Sequence, residues 1–224
     1  MLLAIDTATH LASLALYDQA NGRILGEESW YSAGNHTVEL MPRLAHMMEQ
    51  QGALPADLSG LAVSLGPGSF TGLRIGLSLA KGLALARKLP VVGVPTLDIV
   101  IQPHRTQRLP IWAILQAGRG RICVGYYERS RGKWGRQEPY RLTTVDALCD
   151  LVKEPALFCG ELSASEVELI RRRLDLIVTI ATPAHSLRRA AYLAELAWQR
   201  LARGEADDAA SLSPIYLHHP QIDA

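Results

Sequence analysis

The sequence predicts an α/β fold of two successive β-β-β-α-β-α lobes. Three observations carry that prediction: short apolar runs bounded by turn residues, amphipathic stretches between them, and the return of the same element order after Pro110.

In the first lobe, Leu2–Ile5 is a short buried strand and Ala12–Tyr17 a second. Asn21-Gly22 supplies a hairpin turn, since both residues tolerate positive φ, and Ile24–Trp30 returns as a third strand. His36–Gln51 spaces Val38, Met41, Leu44, Ala45 and Met48 as one helix face, with Pro42 marking a start or a bend. Leu61–Leu65 is a strand that runs into the loop Gly66-Pro67-Gly68-Ser69-Phe70-Thr71-Gly72. A helix then spans about Leu73–Lys88, stopped by Pro90; Val91–Val94 is a strand and Thr96–Ile101 a helical turn or two. In the second lobe Ile111–Leu115, Ile122–Tyr127 and Trp134–Arg141 are strands, separated by turns at Gly118–Arg121 and Ser130–Lys133. Thr144–Lys153 is a helix capped by Thr144, Ala156–Cys159 a strand, Ser165–Leu174 a helix, and Leu176–Ile180 a strand. Ser186–Arg203 is the longest helix, ended by Gly204, and Ser213–Leu217 is extended. This order is that of a duplicated ribonuclease-H-like unit, the actin-like (ASKHA) architecture, divided into residues 1–105 and 106–224. A parallel-sheet fold of another topology is the alternative.

The 224 residues carry a net charge of +1, so no global field marks a nucleic-acid binder. The charge is uneven. Ile101–Arg141 holds nine Lys/Arg against two Asp/Glu, whereas Met1–Val100 holds six against eight. A solvated, arginine-edged hairpin accounts for this, and a contact for RNA phosphates is the sharper alternative. No leader peptide or run of membrane-spanning length is expected, and three cysteines without CxxC spacing point to free thiols in a reducing, cytoplasmic setting.

Asp6-Thr7 closes the first strand. An acid and a hydroxyl there suit a nucleotide's phosphates or its magnesium, and they equally suit a hydrogen-bonded hairpin turn. The loop containing Gly66, Gly68, Ser69 and Thr71 lets a backbone approach a ligand at a helix N-terminus. No Lys follows its last glycine as in a Walker loop, and it lacks dinucleotide-binding spacing. Gly72, Gly76 and Ala80 form a small-residue stripe that lies either on the protein's own sheet or against a partner helix. Met41 and Met48 share a face while Met47 sits about 100° away, which suggests burial on two sides. His36 precedes that helix as a cap or surface group. Among the seven histidines no H-x-x-x-H or H-E-x-x-H spacing occurs, and no G-x-S-x-G elbow supports a nucleophile. No catalytic residue, metal ligand or cofactor is assigned.

Three segments then carry a resemblance. Met1–Tyr17 (MLLAIDTATHLASLALY), His36–Leu44 and above all Ser64–Asp98 (SLGPGSFTGLRIGLSLAKGLALARKLPVVGVPTLD) closely resemble the TsaB (YeaZ) proteins of bacterial tRNA threonylcarbamoyladenosine synthesis. The match continues more loosely through Pro183–Ala197 and SPIYL at Ser213–Leu217. The resemblance implies a non-catalytic subunit that pairs with its paralogue TsaD, the transferase acting on the adenosine beside the anticodon. TsaE would join with ATP, homodimers would form when the chain is alone, and tRNA would be met through the complex. The implied partner surface lies on helices His36–Gln51 and Leu73–Arg87: His36, Leu40, Met41, Leu44, Met47, Met48, Gly72, Arg74, Ile75, Gly76, Leu79, Ala80 and Leu83. Asp6, Thr7, Gly66, Gly68, Ser69 and Thr71 would be a vestigial nucleotide site. The sequence departs from the wider pattern in three places. Pro95–Val100 lacks the histidine pair of TsaD-like proteins, Gln116-Ala117-Gly118 replaces an Asp-Ala-Arg turn, and His218 replaces an arginine. Two other classes remain on the residues alone, an ATP-dependent small-molecule kinase and a peptidase.

Overall fold

The computed structural model describes residues 1–217. The described residues form two compact units, Met1–Ile99 with Arg188–Ile215, and Val100–Leu187 with Tyr216 and Leu217. The first unit is therefore not closed by a single cut near residue 105. Its last layer comes from a segment that returns after the second unit has been built.

The first unit holds strands β1 (Leu2–Asp6), β2 (Leu11–Asp18), β3 (Arg23–Tyr31), β4 (Gly60–Gly66) and β5 (Val91–Pro95) in the order β3-β2-β1-β4-β5. β1 pairs antiparallel with β2 and parallel with β4. Every residue of β1 is buried, as a central strand with both faces covered requires. Successive side chains go to opposite faces. Leu3 and Ile5 join one core with Leu40, Leu44, Met47 and Met48 of helix α1 (His36–Gln50) and Leu77, Ala80 and Ala84 of helix α2 (Phe70–Arg87). Leu2 and Ala4 join another core with Ala190, Leu193, Ala194 and Ala197 of a late helix, Ala190–Leu201. The outer edge of β5 is closed by the chain's own tail: Asp207 N donates to Val91 O at 2.8 Å, its carboxylate accepts from Gly93 N at 2.8 Å, and Arg200 donates to Gly93 O at 3.0 Å. A sheet edge so covered offers no template for another strand. The short helix α3 (Thr96–Val100) follows β5.

The second unit repeats the plan. Strands β6 (Ile111–Gln116), β7 (Ile122–Ser130), β8 (Lys133–Arg136), β10 (Ala156–Gly160) and β11 (Val178–Ile180) lie in the order β11-β10-β6-β7-β8, the same arrangement read from the other edge, and β9 (Arg141–Thr143) also pairs with β7. Helices α4 (Val145–Leu151) and α5 (Ala164–Leu174) cover Ile114, Val124 and Phe158. Gly66 and Gly160, at the ends of equivalent strands β4 and β10, share φ of +103° and +106°. That left-handed turn marks the same bend in both repeats and favours glycine.

Two expectations are corrected here. The strand expected over Trp134–Arg141 is two pieces, β8 and β9, because Pro139 between them has no N–H for the ladder. The helix expected over Ser186–Arg203 is also two pieces, α6 (Pro183–Ser186) and α7 (Ala190–Leu201), so α2 with 18 residues is longer than either. Leu187 and Arg189 are extended, and Arg188 between them is almost fully buried. His218 lies outside the described residues.

Candidate functional site

The β1–β2 turn, the end of β4 and the N-terminus of α2 meet at one point in the first unit. Asp6 and Thr7 are buried there. One carboxylate oxygen of Asp6 accepts from Ala8 N at 3.0 Å and from Ser64 Oγ at 2.8 Å. The other accepts from Nε of Arg188 in a fully buried ion pair. The same guanidinium donates through Nη2 to Thr9 Oγ1 at 3.0 Å and to Leu11 O at 2.6 Å. Both charges leave water only because each finds its partners inside. A divalent cation on Asp6 does not fit while Arg188 holds that oxygen.

The glycine-rich loop packs against this turn. Thr7 Oγ1 donates to Gly72 O at 2.7 Å, and Ser69 N donates to Ala8 O at 2.6 Å. A Cβ on Gly68 would sit 2.2 Å from Ala8 O, one on Gly72 2.2 Å from Thr7 O, and one on Gly76 2.4 Å from Thr7 Oγ1. The glycines are thus explained by close approach of the protein's own first turn. Ser69 caps α2 by accepting from Gly72 N at 3.2 Å, Gly66 N donates to Thr96 Oγ1 at 3.0 Å, and Thr71 stands exposed in the first turn of the helix. The sequence expectation brought Asp6, Thr7, Gly66, Gly68, Ser69 and Thr71 to one place, and the structure does too. It missed Arg188, which local patterning assigns to an amphipathic helix.

The thirteen residues expected on a partner surface divide into two groups. His36, Leu40, Leu44, Met47, Met48, Gly72, Gly76 and Ala80 are buried within their own unit, which corrects their placement on a surface. Met41 and Arg74 are exposed, and Ile75, Leu79 and Leu83 are half-buried along one stripe of α2. Arg74 lies over the ring of Phe70, 3.7 Å from its centroid. Beside Met41 the exposed side of α1 carries Val38 and Ala45, and an apolar groove of about 450 Å³ runs from Ala45 and Met48 to Leu54 and Pro55. His36 is not a surface cap: burial holds its imidazole below the usual histidine range, and its Nδ1 is without a partner among the described residues.

In the second unit, the uncharged Gln116 ends β6, where the resemblance implied an acid. Its amide nitrogen donates to Glu161 O at 3.1 Å and to a carboxylate oxygen of Glu166 at 2.8 Å, and Glu161 accepts from Gln116 N at 3.2 Å. Pro95–Val100 contains no imidazole, so a histidine-ligated metal does not fit there.

No helix among the described residues is long and apolar enough to cross a membrane. The family described as "TsaD: tRNA N6-adenosine threonylcarbamoyltransferase" matches residues 30–223. The chain is 30% identical over 226 residues to the tRNA threonylcarbamoyladenosine biosynthesis protein TsaB of Bacillus subtilis, covering 100% of this chain and 96% of that one. It is 34% identical to TsaB of Escherichia coli over 140 residues, 61% of this chain and 59% of the other. YeaZ from Pseudomonas aeruginosa superposes with a TM-score of 0.77 at 25% identity, over 96% of this chain and 99% of that structure. With two ribonuclease-H-like units of equal strand order, a first turn closed by Arg188 and a full-length match, the chain belongs to the TsaB (YeaZ) family, TsaD-related proteins of actin-like fold in tRNA threonylcarbamoyladenosine biosynthesis.

Proposed function

We propose that this chain is a non-catalytic subunit that docks on TsaD and supports threonylcarbamoyl transfer to the adenosine beside the tRNA anticodon. The observation that carries the non-catalytic part is the Asp6–Arg188 pair. The acid best placed to hold a nucleotide's metal is neutralised by a cation of the same chain, and the turn's Thr7 hydroxyl and Ala8 carbonyl are both bonded to the glycine loop. The docking part is supported by Val38, Met41 and Leu54, large apolar side chains exposed on or beside α1, next to the half-buried Ile75, Leu79 and Leu83 of α2. Apolar groups left in water gain most from a partner that covers them. On the same reading TsaE joins with ATP, and two copies pair through this surface when TsaD is missing. The setting is the cytoplasm.

Reconstitution with TsaD and TsaE tests the proposal. Modified adenosine is expected to form only when this chain is added, and full modification without it overturns the reading.

A further inference from the structure

We infer that one face of the β7–β8 hairpin binds the phosphates and a base of RNA, so that the second unit touches the tRNA directly. This rests on the tRNA-modification reading above.

The hairpin turns through Arg131 and Gly132, with φ of +50° and +80°, the positive values a two-residue turn of this twist needs. Its register pairs Arg129 with Trp134 and Tyr127 with Arg136. Cross-strand partners share a face, and so do residues two apart, so Arg129 and Arg136 flank the half-buried Trp134 on one side, while Tyr127 at the base of the hairpin is buried. Tyr140 extends that row: the Arg136 guanidinium lies 4.1 Å from its ring centroid. Trp134 Nε1 donates to the carbonyl of Arg105 at 3.0 Å, which draws that segment against the hairpin. Arg131 and Lys133 stand at the tip.

The nearby acids do not neutralise this row. Glu128 lies on the other face and accepts from Tyr126, and Glu138 pairs with Arg141. Among the described residues Arg105, Arg129, Arg131 and Lys133 are exposed and have no carboxylate at ion-pair distance. Like charges gathered on one short hairpin repel one another, and the fold takes no visible gain from them. A polyanion would relieve that repulsion. The half-buried rings of Trp134 and Tyr140, set beside these cations, match stacked bases better than they match the carboxylates of an acidic protein.

The test uses the full chain and a fluorescein-labelled, unmodified tRNA transcript with adenosine beside its anticodon, followed by anisotropy at two salt concentrations. Arg129→Glu with Arg136→Glu is expected to weaken binding at least about 10-fold and to lower the salt slope by about 1.5, as loss of two phosphate contacts requires. Arg171→Glu with Arg172→Glu on α5 makes the same charge change and is expected to stay within about 2-fold. If the first pair unfolds the protein, Arg129→Gln with Arg136→Gln reads the same contact, with a loss of about 3-fold or more. Equal losses in both charge-reversed pairs overturn the inference. So does competition by polyglutamate as effective as by unlabelled tRNA, which assigns the face to an acidic protein. Pairing with TsaD, measured without RNA on the same proteins, separates the two readings. Wild-type pairing without tRNA binding sinks this inference alone; tRNA binding without pairing sinks only the docking proposal.

Discussion

Arg188 and Asp6, 182 positions apart in the sequence, form one fully buried ion pair that joins the entry to α7 to the end of β1. Neither charge would be stable there alone. Arg188→Met is expected to destabilise the protein by about 3–5 kcal/mol, because it strands a buried carboxylate. Adding Asp6→Asn should recover part of that loss, since the orphaned charge is then gone. Denaturant midpoints of the two singles and the double measure the coupling. Additive losses would mean that the pair does not act as a unit.

Gly72→Ala forces a methyl group to 2.2 Å from Thr7 O and is expected to cost more than about 3 kcal/mol or prevent folding. Gly82, in the same helix, has nothing within 4 Å of a built Cβ. There the substitution should stabilise by about 0.5–1 kcal/mol through helix propensity. Thermal melts of the two variants give opposite signs if the glycine stripe serves the protein's own first turn.

The docking surface needs a variant that spares the core. Gly76 is unsuitable, because a side chain there would strike Thr7 rather than a partner. Val38→Glu with Met41→Glu places two charges on exposed positions of α1. Co-elution with TsaD is expected to fall at least about 10-fold with the melting temperature nearly unchanged. Unaltered pairing moves the interface elsewhere.

Two buried imidazoles make stability depend on pH. Burial lowers the proton affinity of His36 and of His104, although a hydrogen bond to the His185 backbone offsets part of the effect at His104. The unfolded chain binds protons on these groups near the usual histidine value of about 6.5, while the folded chain does so only at lower pH. Stability is therefore full above that value and falls as pH drops below it. The melting temperature should decline between pH 7.5 and 5.5, and His104→Phe should flatten the decline. An unchanged slope would exclude His104 as a contributor.

All three cysteines are buried and unpaired. Burial pushes the Cys123 thiol up to about 12, and the Cys149 and Cys159 thiols also lie above their usual range. Thiolate is the reactive form, so a disulfide reagent at pH 8 should titrate almost no thiol in the native protein and three after denaturation. Fast labelling of the folded chain would show that one of these sites opens readily.

Much of the fold was legible because its signals are local. Short apolar runs mark β1, β4, β6 and β10, Thr144 accepts from Ala147 N at 3.2 Å as an N-cap should, and the element order repeats. What stayed hidden depends on distant partners. The Ser186–Arg203 pattern reads as one helix because nothing nearby says that Arg188 must reach Asp6, or that Glu27 will bond Arg189 and accept from Ala191 N at 2.9 Å at the start of α7. The glycine stripe was ambiguous for another reason. A close approach leaves the same spacing whether the neighbour is the protein's own turn or another chain. Pro139 was visible all along, but its effect on the ladder is felt only once β7 is beside it.

The return of residues 188–215 to the first unit has a consequence for synthesis on the ribosome. Strands β1 to β5 emerge early, yet the face made by Leu2, Ala4, Ala62 and Val92 has no cover until α7 is translated. Until Arg188, just ahead of α7, has been made, Asp6 also lacks its counter-charge. The nascent first unit must therefore wait, partly greasy and partly charged, through the whole of the second. Chains stalled before residue 188 should be the ones that chaperones hold and proteases clear.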